Sequence, residues 1–217
     1  MTALPDFTPD PAYLFPPLPA GPFSVILADP PWQFDSWSDK GKDRAPDALV
    51  RQKGLAERHY PTVSTDLLAH LPLAQVCTKD CVLFLWVVGS NLEQAFPLAK
   101  AWGFTFRTIA FNWVKLTTSE PVRPTLGLGK WTRTNSELCL LFAKGSPRRA
   151  SASIRALVEA QDFPANLQSP RRKHSQKPPE VHDRINSLLP HGSRLELFAR
   201  TKREGWTAWG DQLGEPS

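Results

Sequence analysis

The sequence predicts an α/β domain built on a mostly parallel sheet with helices on both faces. Two observations carry this. Short apolar runs of strand length alternate along the chain with segments of helical spacing, the order that crossovers between parallel strands require. The first run, residues 23–29 (Phe-Ser-Val-Ile-Leu-Ala-Asp), is almost wholly apolar, as a strand buried on both faces must be, and it closes on an acid.

The elements follow in order. Residues 1–22 are rich in proline and lack periodicity, which predicts an extended arm laid on a domain formed by residues 23–217. After the first strand, residues 33–59 are dense in charge and poor in apolar side chains. A loop of that length inside a compact domain serves as a lid or a binding segment. Ser64 or Thr65 can cap a helix over residues 65–76. A buried strand is expected over 81–88, then a helix over 91–102 stopped by Gly103. Residues 104–114 read as a strand, and 116–135 as a second long loop with Arg123, Lys130 and Arg133. Residues 137–143 form another strand. The pattern at 153–159 fits strand and helix equally. Residues 160–177 form a polar loop holding Arg171, Arg172, Lys173 and His174. Pro178 suits the first position of a helix running to about 189, and residues 194–200 are the last clear strand. No internal repeat and no dividing linker is visible.

Composition sets the bounds. A chain of 217 residues suits one α/β domain, and 41% hydrophobic residues supply a sizeable core. No apolar run reaches the roughly 18 residues a membrane helix needs. The N-terminus has no basic region followed by an apolar stretch, so a cytoplasmic protein is expected. Cys77, Cys81 and Cys139 cannot all pair, and a lone pair four apart is a poor zinc site, so mostly buried, reduced thiols are expected. A net charge of +5 suits a polyanionic partner without proving one.

The motif that carries chemistry is Asp29-Pro30-Pro31-Trp32. The acid stands at a strand end, where ligands of parallel sheets bind. Two prolines follow, so this stretch offers carbonyl acceptors and no backbone donors along a stiff path. An aromatic closes it. Such a site suits a flat group bearing an amine with two hydrogens, and adenine is such a group. Asp29 can accept one N–H and the Pro30 carbonyl the other, with Trp32 or Tyr60 against the ring. Two acceptors turn the delocalised lone pair of the amine out of the ring plane and stabilise the positive charge that grows on nitrogen as it is alkylated.

With these residues the sequence resembles the family of the mRNA adenosine methyltransferase catalytic subunit and its bacterial and phage DNA adenine methylase relatives. The resemblance runs from about residue 22 to residue 213. Its landmarks are Ala28-Asp29-Pro30-Pro31-Trp32, His59-Tyr60-Pro61-Thr62, Leu83-Phe84-Leu85-Trp86-Val87, Asn112-Trp113-Val114-Lys115, Glu137-Leu138-Cys139-Leu140, Ser175-Gln176-Lys177-Pro178, Glu196-Leu197-Phe198-Ala199-Arg200 and Trp209-Gly210-Asp211-Gln212-Leu213. It implies a Rossmann-like, S-adenosylmethionine-dependent methyltransferase fold with permuted motif order, the catalytic strand preceding the part of the sheet that binds most of the cofactor. It also implies that Lys177 meets the methionine carboxylate of the cofactor, that Glu196 and Arg200 border it, that Asp211 and Gln212 lie near its ribose and amino-acid portion, and that Asp10 meets its adenine. Tyr60 matches an aromatic beside the substrate base. The family often has Asn where Asp211 stands, and between Arg200 and Trp206 this chain is shorter and lacks the family's His-Asn pair.

The expected partner is nucleic acid, DNA ahead of RNA. The basic loops at 40–58, 123–133, 144–149 and 171–174 can follow a phosphate backbone, with Lys115 and Arg133 as substrate contacts. Trp37 and Trp131 lie in two of these loops and can stack on bases or fill the gap left by a removed one. An adenine in a duplex must leave the stack to reach Asp29. With little room for a reading module, the chain is expected to read a short site through loops or to use a homodimer or second subunit. Three alternatives stand: an RNA adenine methyltransferase, a non-catalytic nucleic-acid-binding subunit, and an enzyme acting on the cytosine amine, for which Ser or Asn usually replaces the acid. Gly127-Leu128-Gly129-Lys130 lacks the spacing of a phosphate loop, and no dinucleotide fingerprint follows any strand.

Overall fold

The computed structural model describes residues 15–33, 62–117, 120–126, 131–161 and 177–210, together with Leu213. The predicted loops 33–59 and 160–177 fall almost wholly outside these residues, as do Asp10, Trp37, Tyr60, Asp211 and Gln212.

A seven-stranded sheet organises the described chain. Its strands are β1 (Phe23–Ala28), β2 (Cys77–Val87), β3 (Thr105–Leu116), β4 (Ser136–Lys144), β5 (Leu157–Gln161), β6 (Arg194–Leu197) and β7 (Thr207–Trp209). They lie in the order β5-β3-β4-β2-β1-β6-β7. β1 is parallel to β2 and to β6, β6 to β7, and β3 to β5. β4 alone runs against its neighbours β2 and β3, so the sheet is mostly parallel.

Three helices cover it: α1 (Thr65–Ala69), α2 (Leu92–Ala101) and α3 (Glu180–Leu188). The alternation of side chains across the strands makes two cores. Ile26, Leu83, Leu85 and Leu140 face α1 and α2, packing with Leu68, Leu98 and Trp102. Val25, Leu27, Phe84, Trp86, Phe111 and Trp113 face α3, packing with Val181 and Ile185. The sheet is therefore covered on both faces, as the apolar runs required.

Local signals explain the element ends. Ser64 caps α1, its hydroxyl accepting the Leu67 N–H at 3.3 Å. The expected helix over 65–76 breaks, because Pro72 lacks the N–H that would continue it; residues 73–76 form a separate 3-10 turn. Gly103 ends α2 at φ 87°, with Gly103 N–H on the Lys100 carbonyl and Phe104 N–H on that of Ala99, the paired bonds of a left-handed helix stop. Residues 157–161 are a strand, which resolves the ambiguity at 153–159. β6 stops at Leu197 instead of reaching 200, since Phe198 turns into the left-handed region at φ 60°. β7, three residues long, lies beyond the last strand read from the sequence. Cys81 and Cys139 are buried and Cys77 half-buried, all three as free thiols. Among the described residues no helix is long and apolar enough to cross a membrane.

Topology now locates the site. From β1 the chain passes to the adjacent β2, skips one place to β3, folds back as β4 between them and reaches β5 at the edge, then returns through α3 to the other side of β1, where it lays down β6 and β7. The winding direction reverses between β1 and β6. A crevice opens beyond the carboxyl ends of strands at such a point. Asp29 follows the end of β1, and Phe198 follows the end of β6.

Candidate active site

The Asp29-Pro30-Pro31-Trp32 turn is pinned from several sides. Trp32 N–H donates to the Pro30 carbonyl at 2.8 Å, closing a tight turn around Pro31. The Pro31 carbonyl accepts the Val63 N–H at 2.8 Å, and Trp32 bridges Val63 in parallel fashion. The Trp32 indole N–H donates to the Trp86 carbonyl near the end of β2 at 2.9 Å. Asn91 Nδ2 donates to the Gln33 carbonyl at 2.8 Å.

These contacts correct one expectation. The Trp32 ring is 3% exposed and belongs to the core on the α1–α2 face, so it does not offer a face to a base. Its part is to fasten the turn to β2. Pro30 is buried, and its carbonyl keeps one lone pair beyond the one given to Trp32 N–H.

Asp29 sits at the end of a chain of alternating charges. Lys177 Nζ lies 2.7 Å from Asp29 Oδ2 and 3.1 Å from Glu137 Oε2. Lys115 Nζ lies 2.8 Å from Glu137 Oε1. Strand alternation explains the convergence. Glu137 is the direct cross-strand partner of Trp113, and Cys139 of Trp86, so Trp86, Glu137, Trp113 and Lys115 share the face that carries α3. Lys177 approaches from just before α3, with Nζ 5.5 Å from the centre of the Trp86 ring. Lys115 stands 4.8 Å from that of Trp113.

The electrostatics follow from this packing. Burial works against the charge of Glu137, yet the Lys177 and Lys115 ammoniums outweigh it and hold the carboxyl below its usual range. Burial likewise disfavours the Lys177 ammonium. The Asp29 and Glu137 carboxylates overcome that and hold its pKa above the usual lysine value. Lys177 is thus a cation across the whole neutral range. An ammonium has three donors, and two are spent on Asp29 and Glu137. Asp29 Oδ1 has no partner among the described residues, and its side chain is 30% exposed, so one face of the acid opens outward.

The other expected residues are placed as follows. Lys115 joins the charge chain through Glu137. Arg133 is exposed and takes no part in it. Glu196, on β6, is tied to α3 by a 2.9 Å contact between its Oε2 and His182 Nε2. Arg200 is half-buried three residues beyond the end of β6. The Phe198–Ala199 turn lies against Gly210: Ala199 N–H donates to the Trp209 carbonyl at 3.0 Å, and a Cβ on Gly210 would stand 2.5 Å from the Ala199 carbonyl oxygen. Phe15 packs on Phe198 and Trp209, whose indole N–H reaches the Pro17 carbonyl at 3.0 Å, so residues 15–17 brace the outer wall.

Sequence reasoning had Glu137 and Trp86 among the landmarks of the resemblance but gave neither a role at the site. Both stood within recognised strands, and the one available signal was a lone acid opening an otherwise apolar strand. A cavity of about 760 Å³, with Arg107, Arg148 and Leu189 among its lining, opens at the opposite end of β3 and β4 and contributes nothing to this constellation.

A mostly parallel sheet whose motif-bearing first strand meets a late strand at the switch point, with an acid and two prolines at that junction, defines a Rossmann-like methyltransferase of permuted order. Residues 23–212 match the family model MT-A70, and the chain belongs to the MT-A70 family. Over 210 residues it is 32% identical to the type II methyltransferase M.MunI of Mycoplasma sp, covering 92% of this chain and 82% of that protein. Over 195 residues it is 28% identical to the human N(6)-adenosine-methyltransferase catalytic subunit METTL3, and 28% identical to an MT-A70-like N(6)-adenosine-methyltransferase of Arabidopsis thaliana. The chain spans about a quarter of the length of these two.

Proposed function

We propose that this protein transfers a methyl group from S-adenosylmethionine to the exocyclic N6 amine of adenine in DNA. The observation that carries the reading is the Asp29 carboxylate at the switch point, one oxygen held by Lys177 at 2.7 Å and the other without a partner among the described residues. Asp29 Oδ1 accepts one N–H of the adenine amine, and the Pro30 carbonyl accepts the second. Both bonds strengthen as positive charge develops on nitrogen, so they favour the transition state over the bound base. Asp29 Oδ1 is also placed to take the proton that the methylated nitrogen sheds.

The chain suits the cofactor in charge. Lys177 stays cationic and has one donor beyond those given to Asp29 and Glu137, which fits the cofactor's carboxylate. Arg200 and the Phe198 turn follow the end of β6, the strand beside β1, and we assign them to the cofactor's border. When bound, S-adenosylmethionine supplies an electrophilic methyl on a sulfonium. DNA is favoured over RNA because the bacterial type II methyltransferase is matched over most of its length, whereas the two adenosine methyltransferases are matched over about a quarter.

The test is transfer of tritiated methyl to adenine-unmethylated DNA and to RNA, wild type beside Asp29→Ala, with the product digested to nucleosides. Label in N6-methyldeoxyadenosine, lost in the variant, supports the reading. Label in N6-methyladenosine alone favours an RNA enzyme. Binding of nucleic acid without transfer identifies a non-catalytic subunit.

A further inference from the structure

Seven of the eight tryptophans lie among the described residues, and six of those seven are at most 7% exposed. Trp131 is 98% exposed. An indole left wholly in water forgoes the burial that usually places it, so a tryptophan that departs this far from its fellows marks a contact surface.

Its surroundings define the contact. Trp131 stands in the connection between β3 and β4, which also exposes Leu126 (79%) and Val122 (44%). Arg123 and Arg133 are exposed within two or three positions of them in the chain, and the one acid among described residues 120–126 and 131–135 is Glu120, whose carboxylate accepts the Val122 N–H at 3.2 Å. A basic rim around an apolar tip complements a phosphate backbone enclosing stacked bases; a purely apolar protein surface would leave both arginines unmatched.

The stem is fixed. Thr125 N–H donates to the Lys115 carbonyl at 2.8 Å, Thr117 N–H to that of Arg123 at 2.8 Å, and Lys115 N–H to that of Asn135 at 2.9 Å. The same Lys115 belongs to the charge chain that ends on Asp29. Trp131 stands six positions before Glu137, so the two Cα atoms lie within about 20 Å of each other.

We propose that the described arms of this connection, residues 120–126 and 131–135, serve as a duplex-opening wedge: Trp131 enters the base stack and occupies the gap left by the displaced adenine, while Arg123 and Arg133 grip the flanking phosphates. This rests on the adenine-methylation reading. Its role is limited to substrates in which the base must leave a stack, because a single strand presents its adenine without that cost.

The experiment compares wild type, Trp131→Ala and Trp131→Phe for methyl transfer to native and to heat-denatured adenine-unmethylated chromosomal DNA. Trp131→Ala should lose at least about tenfold on native DNA, the size of one lost stacking contact, and stay within about twofold on denatured DNA. Trp131→Phe should keep most activity on both. Equal loss on both substrates, or no loss, overturns the wedge. If wild type acts on duplex alone, the pair becomes matched and mismatched duplexes of the site mapped from the product. A mismatch at the target adenine should restore Trp131→Ala, and failure to restore it overturns the proposal. A fall in assembled mass of Trp131→Ala by light scattering would make the tip a subunit contact and overturn it equally. A wild type inert on every nucleic acid removes the adenine reading itself, a result that no behaviour of Trp131→Ala can mimic.

Discussion

Lys177 holds the carboxylate of Asp29 at 2.7 Å from 148 positions away in the chain, and with the same ammonium it reaches Glu137 at 3.1 Å. One cation thus separates two acids that would otherwise repel across the head of the sheet. It also orients the Asp29 carboxylate before any ligand arrives.

Replacing that cation should be costly. Lys177→Met leaves two carboxylates facing each other without a counter-charge, and breaking a buried pair typically costs about 3–5 kcal/mol. Urea unfolding should show a loss of that order. Calorimetry at a temperature where the variant is folded should show cofactor affinity reduced by at least about tenfold, the equivalent of one charge-assisted bond. Unchanged stability would mean that Lys177 does not bridge the acids in solution.

The charge chain also predicts how stability follows pH. Glu137 is held below its ordinary value of 4.5, so its contribution is complete above that pH and is lost as pH falls through the lowered folded value. Lys177 is held above 10.5, so its contribution is complete below that pH and is lost as pH rises through the raised folded value. Melting temperature should therefore be flat between these limits from these two groups. The gap between wild type and Glu137→Gln should narrow as pH falls below about 4.5. A constant gap down to acid pH would show that the fold does not hold the Glu137 carboxyl below its ordinary range.

Trp32 is expected to act through the turn it fastens. Trp32→Phe removes the donor to the buried Trp86 carbonyl, at a cost of about 1–3 kcal/mol. Because the turn then shifts relative to β2, kcat should fall by roughly tenfold to a hundredfold while KM for DNA changes little. Had the ring stacked on the substrate base, Phe would keep kcat and KM both nearly unchanged, so a retained kcat would overturn the fastening role.

Gly210→Ala tests the packing behind the crevice. The new Cβ would sit 2.5 Å from the Ala199 carbonyl oxygen, backbone that cannot swing aside. A loss of about 1–3 kcal/mol in thermal or urea unfolding is expected, as for other overpacked sites. A neutral substitution would show that the Phe198–Ala199 turn can move.

Some of this was legible locally. Runs such as 23–29 and 81–88 announce strands buried on both faces, because an alternating pattern cannot survive where helices cover each side. Gly103 announces a helix stop, since a left-handed residue there favours glycine. Asp29 could be singled out because a carboxylate at the end of a buried strand, followed by two prolines, is already a chemical statement.

What the sequence alone determined, then, was the class of sheet, the acid and its stiff acceptor path: each depends on neighbours within a few residues. Tertiary structure decided the rest. It put the Trp32 ring in the core instead of at a base, ran β4 against its neighbours, and drew Glu137, Lys115 and Lys177 onto Asp29. Those outcomes turn on strand register and on which face each side chain shares. A one-residue slip would send Glu137 to the opposite face, and no local pattern records which carboxylate a distant ammonium will meet.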